Sequence, residues 1–423
     1  MSSLKAIPIA ETWLGSQERQ LLTECVRTGW VSSQGRFVGE FEKAFASYCG
    51  VKYGVATANG TSALHLALAC LDIGPGDEVI VPTLSFIGTA NPVTYCGAKP
   101  VFVDSLPDTW NLDPNAVKKA ITRNTRAIIP VHLYGHPAHM DEISKIAKRH
   151  GLHVIEDACE AHGAEHRHRK VGSLGDIACF SFYGNKIITT GEGGMVVTNN
   201  QAVAEKAIIL RDHGMSRKKK YWHPYLGFNY RMTNLQAAVG VAQMERLEKV
   251  VNRKRRNARL YSSLLKNVPG ISFQQEAPWA KHVYWLYTVL IEEGFRVSRD
   301  KVMKELALRG IEARPVFWPI SSMPPYRQTK KQRFAVAERI STNGLSLPSS
   351  PLLTQKDIRR ICAVLQELAD PRCSPRKSRR EVAEPAAEIV AAKESSAAGL
   401  AAGNGCEQVV SPGNAINDRE VPF

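Results

Sequence analysis

Three short stretches combine residue types that could do chemistry. Asn59-Gly60-Thr61-Ser62 follows an apolar run over 54–57 and precedes a stretch of helical periodicity. Gly60 permits close backbone approach, and Thr61 and Ser62 bring hydroxyls and N–H groups to a helix start, where an anion such as phosphate is held. The same residues also make an ordinary turn with an N-cap, so alone they leave both readings open. Residues 154–158 form an apolar run that ends in Glu156 and Asp157. That is the carboxyl end of a strand, where open α/β sheets bind ligands. An acid there can cap a helix, ligate a metal or pair with a protonated ring nitrogen. The third stretch, Ser181-Phe182-Tyr183-Gly184-Asn185-Lys186, presents a lysine on a turn between a buried strand and Gly191-Glu192-Gly193-Gly194. A lysine so placed is a candidate for amine chemistry, weighed against the far commoner surface lysine.

Taken together, a phosphate cradle, a strand-end aspartate and a lysine 29 residues after it (186 − 157) describe a pyridoxal 5'-phosphate site. Lys186 would form the Schiff base, Asp157 would keep the pyridine nitrogen protonated, and residues 60–62 would hold the phosphate.

The elements that must position these groups are legible from about residue 51 to 200. Short β-branched runs over 79–81, 100–103, 127–133, 153–156, 178–182 and 194–198 read as strands. Stretches over 62–71, 113–120 and 140–150 carry helical periodicity, so strands and helices alternate, the signature of a mainly parallel sheet covered on both faces. Beyond Gly240 a long charged helix over 244–265 leads to a strand over 282–291 and helices over 299–309 and 355–368. This divides the chain into a large domain over 1–245, a smaller α/β domain over 246–372, and a disordered tail over 373–423 without a periodic apolar face.

Composition agrees with a globular protein: of 423 residues, 44% are hydrophobic and 22% charged, which excludes fibrous and fully disordered classes. No apolar run reaches the roughly 18 to 20 residues that span a bilayer, and the first residues lack an apolar signal region. The 9 cysteines, an odd number, show no CxxC or metal-ligand spacing, which points to reduced thiols in the cytoplasm and no metal site. The net charge of +15 sits in short clusters at 217–220, 253–256, 330–333 and 376–380, without interleaved base-stacking aromatics. That pattern fits solvated faces or an anionic small ligand better than a nucleic acid.

Beyond these local readings, NGTSALHLAL, VPTLSFIGTANPV, GAKPVFVD, VHLYGHPAHMDEI, VIEDACEAHGA, SFYGNKIITTGEGGMVVT and GFNYRMTNLQAAVG occur in that order. The chain resembles, over residues 8–368, the sugar aminotransferases of the DegT/DnrJ/StrS family. WVSSQGRFVGEFEKAF and HVYWLYTVLI belong to the same likeness, and within the family SFYGNKIITTGEGG and ARPVFWPISSMPPY are similar to the GDP-perosamine synthases. The resemblance implies an α/β fold of type I among pyridoxal phosphate enzymes: a large domain with a mainly parallel mixed sheet flanked by helices, plus a smaller C-terminal α/β domain.

It further implies that Lys186 is the Schiff-base lysine and proton shuttle and that Asp157 pairs with the pyridine nitrogen. Gly60, Thr61, Ser62 and Ser181 would hold the phosphate, Phe86 would stack on the ring, and Glu160 would lie near the cofactor. Asn229 would reach the phosphate of the neighbouring subunit, making the sites shared within a homodimer. The substrates implied are L-glutamate and a nucleotide-linked 4-keto-6-deoxy sugar, GDP-4-keto-6-deoxy-mannose first and UDP- or dTDP-linked sugars as alternatives. Family members that dehydrate sugars carry histidine where Lys186 stands. Arg231 and Arg314 are candidates for anionic substrate groups, with structural ion pairs as the equal alternative. His162 and Trp30 with Ser32-Ser33 have structural readings as good as functional ones, while His132 and Tyr134 read better as closing the sheet and the run Tyr284-Trp285-Tyr287 as strand core. Selectivity would lie in segments around Trp30, 213–224 and 316–326.

Overall fold

The computed structural model describes residues 5–327 and 332–372. Seven strands build the central sheet: β1 (Tyr53–Thr57), β2 (Glu78–Pro82), β3 (Lys99–Val103), β4 (Thr125–Ile128), β5 (His153–Asp157), β6 (Ile177–Ser181) and β7 (Gly194–Thr198). Their order is β1-β7-β6-β5-β4-β2-β3. The run from β3 through β6 is parallel, and β7 is antiparallel to both β6 and β1. Strands β2, β6 and β7 are buried at every position, which explains why they read as continuous apolar runs rather than alternating ones.

Helices cover the sheet for reasons visible in their sequences. Met140–His150 buries Met140, Ile143, Ile146 and Ala147 on one face and ends at Gly151 in the left-handed conformation. Its first turn carries Asp141 and Glu142 and its last turn Lys148, Arg149 and His150, opposing the helix dipole at both ends. Among the helices not anticipated are α1 (Ser16–Thr28) and α2 (Arg36–Cys49), the latter burying Phe37, Phe41 and Phe45. Phe41 lies against Gly240 of a further helix, Asn234–Met244, where an added Cβ would come 2.8 Å from the ring.

Three expected elements are shorter than their apolar patterns. The strand expected over 127–133 stops at Ile128, because Pro130 has no N–H for a ladder and Tyr134 turns the chain with φ 55°. The helix expected over 244–265 begins only at Leu247, because Glu245 and Arg246 separate it from a preceding helix, Asn234–Met244. The strand expected over 282–291 begins only at Tyr287, since Tyr284 has φ 51°. Consequently Tyr284 and Trp285 belong to a turn, not a strand.

The C-terminal region has its own sheet, β8 (Ile271–Phe273), β9 (Tyr287–Ile291), β10 (Arg314–Pro315) and β11 (Gly344–Leu347), antiparallel in the order β8-β9-β11-β10. A separate apolar core joins Val289, Leu345, Tyr261, Leu306 and the Ile358, Ile361, Cys362, Leu365 face of Gln355–Ala369. That last face matches its sequence spacing. The described residues nonetheless belong to one compact unit. The expected tail at 373–423, with the basic cluster at 376–380, lies outside the described residues, and so do Lys330 and Lys331 of the cluster at 330–333. Among the described residues no helix is long and apolar enough to cross a membrane.

Candidate active site

The carboxyl ends of the parallel strands open into a cavity of about 640 Å³. Gly60, Thr61, Ser62, Phe86, Asp157, Glu160, Ser181 and Lys186 all line it, so eight of the nine site residues expected from the sequence converge on one space.

One wall is the start of α3 (Gly60–Cys70). Asn59 is its N-cap, accepting from Ser62 N at 2.8 Å, while Asn59 N donates to Ser62 Oγ at 3.1 Å. The Ser62 hydroxyl in turn donates to Asn59 O at 2.8 Å, so it closes the cap. The first-turn N–H groups of Gly60 and Thr61 have no preceding helical carbonyl and carry the positive end of the helix dipole. Gly60 is required for this approach: a Cβ there would lie 2.7 Å from Ser181 Cβ and 2.9 Å from Cys159 Sγ. The backbone N–H groups, with the side chains of Thr61 and Ser181 beside them, make a seat for a phosphate.

Asp157 closes β5 at the cavity floor and is buried. Its Oδ2 accepts from Thr89 Oγ1 at 2.7 Å and its Oδ1 from Cys159 N at 3.2 Å. Thr89 is supported by Ser85 Oγ at 2.9 Å. Behind it, the adjacent Glu156 is wholly buried and pairs with His132 Nε2 at 3.0 Å. Burial pushes the Glu156 carboxyl up, but the His132 bond and the N–H groups of Gly172 and Gly175 outweigh it and hold the group below its ordinary value. His132 Nδ1 accepts from Ala138 N at 3.0 Å, which places the proton of a neutral ring on Nε2, toward Glu156. His132 N also donates to Asp157 O, so this pair braces the strand end that carries Asp157.

Lys186 sits on the turn after β6, its N–H donating to Tyr183 O at 2.9 Å. Its side chain is only 12% exposed, with Nζ 4.0 Å from Glu160 Oε1 and 3.7 Å from the ring centroid of Trp285. Burial raises Glu160 to about 7 against the opposing pull of Lys186 and of the Tyr134 N–H, which donates to Oε2 at 2.7 Å. Tyr134 stacks between Trp285 (6.1 Å, 18°) and Phe317 (5.7 Å, 8°), and Phe317 in turn lies 5.9 Å from Phe86. The result is an aromatic wall running from the lysine to the cavity mouth, where Phe86 is 56% exposed.

Thr89, Tyr134, Trp285 and Phe317 are among the cavity residues that sequence reasoning did not single out or read as packing. Thr89 and Trp285 lie inside the quoted stretches VPTLSFIGTANPV and HVYWLYTVLI, so the signal existed, but no local spacing ties them to Asp157 or Lys186.

Asn229 is the expected site residue that the chain does not bring to its own cavity. Its Oδ1 accepts from Arg231 Nε at 3.0 Å, and Arg231 also pairs with Asp212 at 2.9 Å. Arg231 is thus a structural ion pair here, whereas Arg314 lines the cavity while pairing with Glu312 at 2.9 Å. His162 is a core residue, wholly buried among Phe45, Phe180 and Phe182 and pushed down to about 3, first by burial and then by Lys186. Trp30 lines a separate cavity with Arg36, Phe37 and Asn234.

The model of the DegT/DnrJ/EryC1/StrS aminotransferase family matches residues 13–366. The chain is 51% identical to the GDP-perosamine synthase of Caulobacter vibrioides, over 87% of this chain and 100% of that one. It is 40% identical to the dTDP-3-amino-3,4,6-trideoxy-alpha-D-glucose transaminase of Streptomyces venezuelae, over 78% of this chain and 86% of that one. Among solved structures, the S. venezuelae protein DesV, in complex with a ketimine intermediate, superposes with a TM-score of 0.79 at 38% identity, over 84% of this chain and 94% of that one. Enzymes of this family depend on pyridoxal 5'-phosphate, and the cavity fits that group: a helix start that Gly60, with no room for a Cβ, brings against Ser181 and Cys159, a buried carboxylate and an amine around a single space. On its sequence and its site, the chain belongs to the DegT/DnrJ/EryC1/StrS aminotransferase family.

Proposed function

We propose that the protein moves the amino group of L-glutamate to the C4 keto carbon of a nucleotide-linked 4-keto-6-deoxy sugar. The acceptor in this reading is GDP-4-keto-6-deoxy-mannose, and the products are GDP-perosamine and 2-oxoglutarate. The observation that carries it is the convergence of the Lys186 amine, the Asp157 carboxylate and the start of α3 on one cavity.

When bound, pyridoxal 5'-phosphate supplies an electron sink that lets the C–H bond next to the transferred nitrogen ionise. The residues divide the remaining work. The N–H groups of Gly60 and Thr61 bind the phosphate, and the hydroxyls of Thr61 and Ser181 complete its shell. Asp157, oriented by Thr89 and Cys159 N, holds the ring nitrogen in its charged form. Lys186 takes the proton from the amino-acid carbon and returns it at the far side of the transfer, then reverses that sequence for the sugar. Glu160, 4.0 Å from the Lys186 amine, is the carboxyl against which that amine is held. Phe86 and the Tyr134–Phe317 stack exclude water from the cavity mouth, and Arg314 meets an anionic group of the substrate.

Asn229, absent from its own cavity, serves the phosphate seat of a second protomer in a homodimer. The division into domains at residue 245 belongs to the same reading, supported by the helix break there and by the separate C-terminal core. A cytoplasmic setting is supported by the seven described cysteines, all free.

The likeness to the Caulobacter synthase favours the GDP-linked acceptor, and the likeness to the Streptomyces transaminase carries the second reading, a dTDP-linked sugar. The test offers the purified protein pyridoxal 5'-phosphate, L-glutamate and GDP-, dTDP- or UDP-linked 4-keto-6-deoxy sugars, with the amino sugar read by mass. Product from the GDP sugar at the highest kcat/KM supports the proposal. A preference for either other nucleotide moves the assignment, and no product from any of them overturns it.

A further inference from the structure

Helix Leu247–Leu265 buries one charged residue, Lys254, which is 4% exposed. No carboxylate among the described residues pairs with it; its Nζ donates to Ser349 O at 2.5 Å and Trp285 O at 3.1 Å. Retaining an amine in such surroundings is unfavourable, since a buried charge without an acid loses its hydration for two neutral carbonyls. Burial accordingly pushes Lys254 down to about 7. Its helix already ties the same loop by other means: Asn257 donates to Ser350 O at 3.3 Å and Tyr261 to Pro348 O at 3.0 Å. Lys254 differs from both in also gripping the turn that bears Trp285.

Trp285 touches both Lys186 and the residue before it. Its ring centroid lies 3.7 Å from the Lys186 Nζ, and its indole Nε1 donates to the carbonyl of Asn185, the preceding residue, at 2.8 Å. Lys254 and Lys186 also line one small cavity together with Asn185. A continuous set of contacts therefore runs from the Lys254 amine through the Trp285 carbonyl and indole to the backbone and amine of residue 186.

We propose that Lys254 is a positioning residue for Lys186: by fixing the turn at Trp285 it sets where the reacting amine stands relative to Asp157 and the phosphate seat. The inference rests on Lys186 being the amine that moves the proton. It assigns Lys254 no contact with substrate or cofactor.

The test measures wild type, Lys254→Met and Trp285→Phe as holoenzymes, with three readouts. These are 2-oxoglutarate formation from L-glutamate in a single turnover, the KM for L-glutamate, and the pH midpoint of the bound cofactor's visible absorption. A displaced amine lowers the turnover rate about 10- to 100-fold, as misplacement of a reacting group by about 1 Å does, and leaves KM within about threefold. It also shifts the pH midpoint, which a residue that only holds the fold would leave in place. Trp285→Phe must reproduce the rate loss with Lys254 intact, so the proposal stays testable if Lys254→Met does not fold. Where it folds, the double variant must lose less than the product of the two single losses. A Lys254→Met enzyme with lowered thermal stability but unchanged turnover and midpoint, or a fully active Trp285→Phe enzyme, overturns the proposal. Wild type lacking turnover in the same assay would instead overturn the aminotransferase reading itself.

Discussion

The Thr89 hydroxyl donates to Asp157 Oδ2 across 2.7 Å, in a cavity floor closed to solvent. Because Thr89 gives its proton to the carboxylate, its own oxygen is left to accept from Ser85, 2.9 Å away. With Cys159 N on the other oxygen at 3.2 Å, the carboxylate is held in one orientation.

Thr89→Val keeps the shape and removes that donor. A hydrogen bond to a charged group contributes about 1.5 to 3 kcal/mol, so turnover with L-glutamate falls about 10- to 100-fold while the fold persists. Steady-state kinetics beside a thermal unfolding curve checks this; an unchanged kcat would mean that Asp157 is oriented without Thr89.

Gly60→Ala acts on the phosphate seat. The new methyl would sit 2.7 Å from Ser181 Cβ and 2.9 Å from Cys159 Sγ, so the start of α3 must move away from β6. Overpacking of this kind costs about 1 to 3 kcal/mol. Stability drops by that order, and the dissociation constant for pyridoxal 5'-phosphate, titrated on the apoprotein, rises. Wild-type cofactor affinity in a folded variant would place the phosphate elsewhere.

How these parts could be read from the chain differs between them in a physical way. Asp157, Lys186 and residues 60–62 are legible because each sits at a strand or helix end written in a few neighbouring residues. The alternation of strands and helices between 51 and 200 is legible for the same reason. Tyr134 and Trp285 are not: their roles depend on left-handed turns at Tyr134 and Tyr284 and on contacts across 100 or more residues, such as Trp285 Nε1 to Asn185 O. The apolar patterns over 127–133 and 282–291 conceal those turns, because a buried turn is as apolar as the strand it interrupts. The break between Met244 and Leu247 is hidden in the same way by an uninterrupted charged helical pattern.

Glu160 gives the apoprotein a pH signature. Its carboxyl is raised from an ordinary 4.5 to about 7, mainly by burial, so between those values the native state holds a proton that the unfolded chain has released. Stability therefore falls as pH rises through that window and levels off above it. Glu160→Gln keeps an acceptor for Tyr134 N and removes the titration, so the variant loses less stability than wild type between about pH 5 and pH 8, by on the order of 1 to 3 kcal/mol. Parallel losses in thermal unfolding of the two apoproteins would contradict the assignment.

Asn229 tests the shared site. If it serves a second protomer, Asn229→Ala weakens cofactor retention, and Lys186→Ala abolishes turnover in the site that carries it. Subunits of the two variants, mixed and reassociated at random, then rebuild about one intact site in four, since each mixed dimer holds one site with both residues. Recovery of activity on mixing supports the arrangement; no recovery, or an active monomer, contradicts it.

The most direct test of the central claim adds L-glutamate to the holoenzyme and follows the visible absorption of the bound cofactor together with the release of 2-oxoglutarate, for wild type and Lys186→Ala. The account predicts that wild type loses the band and yields one equivalent of 2-oxoglutarate per site, while folded Lys186→Ala yields none. Release of 2-oxoglutarate by Lys186→Ala at the wild-type rate would contradict it.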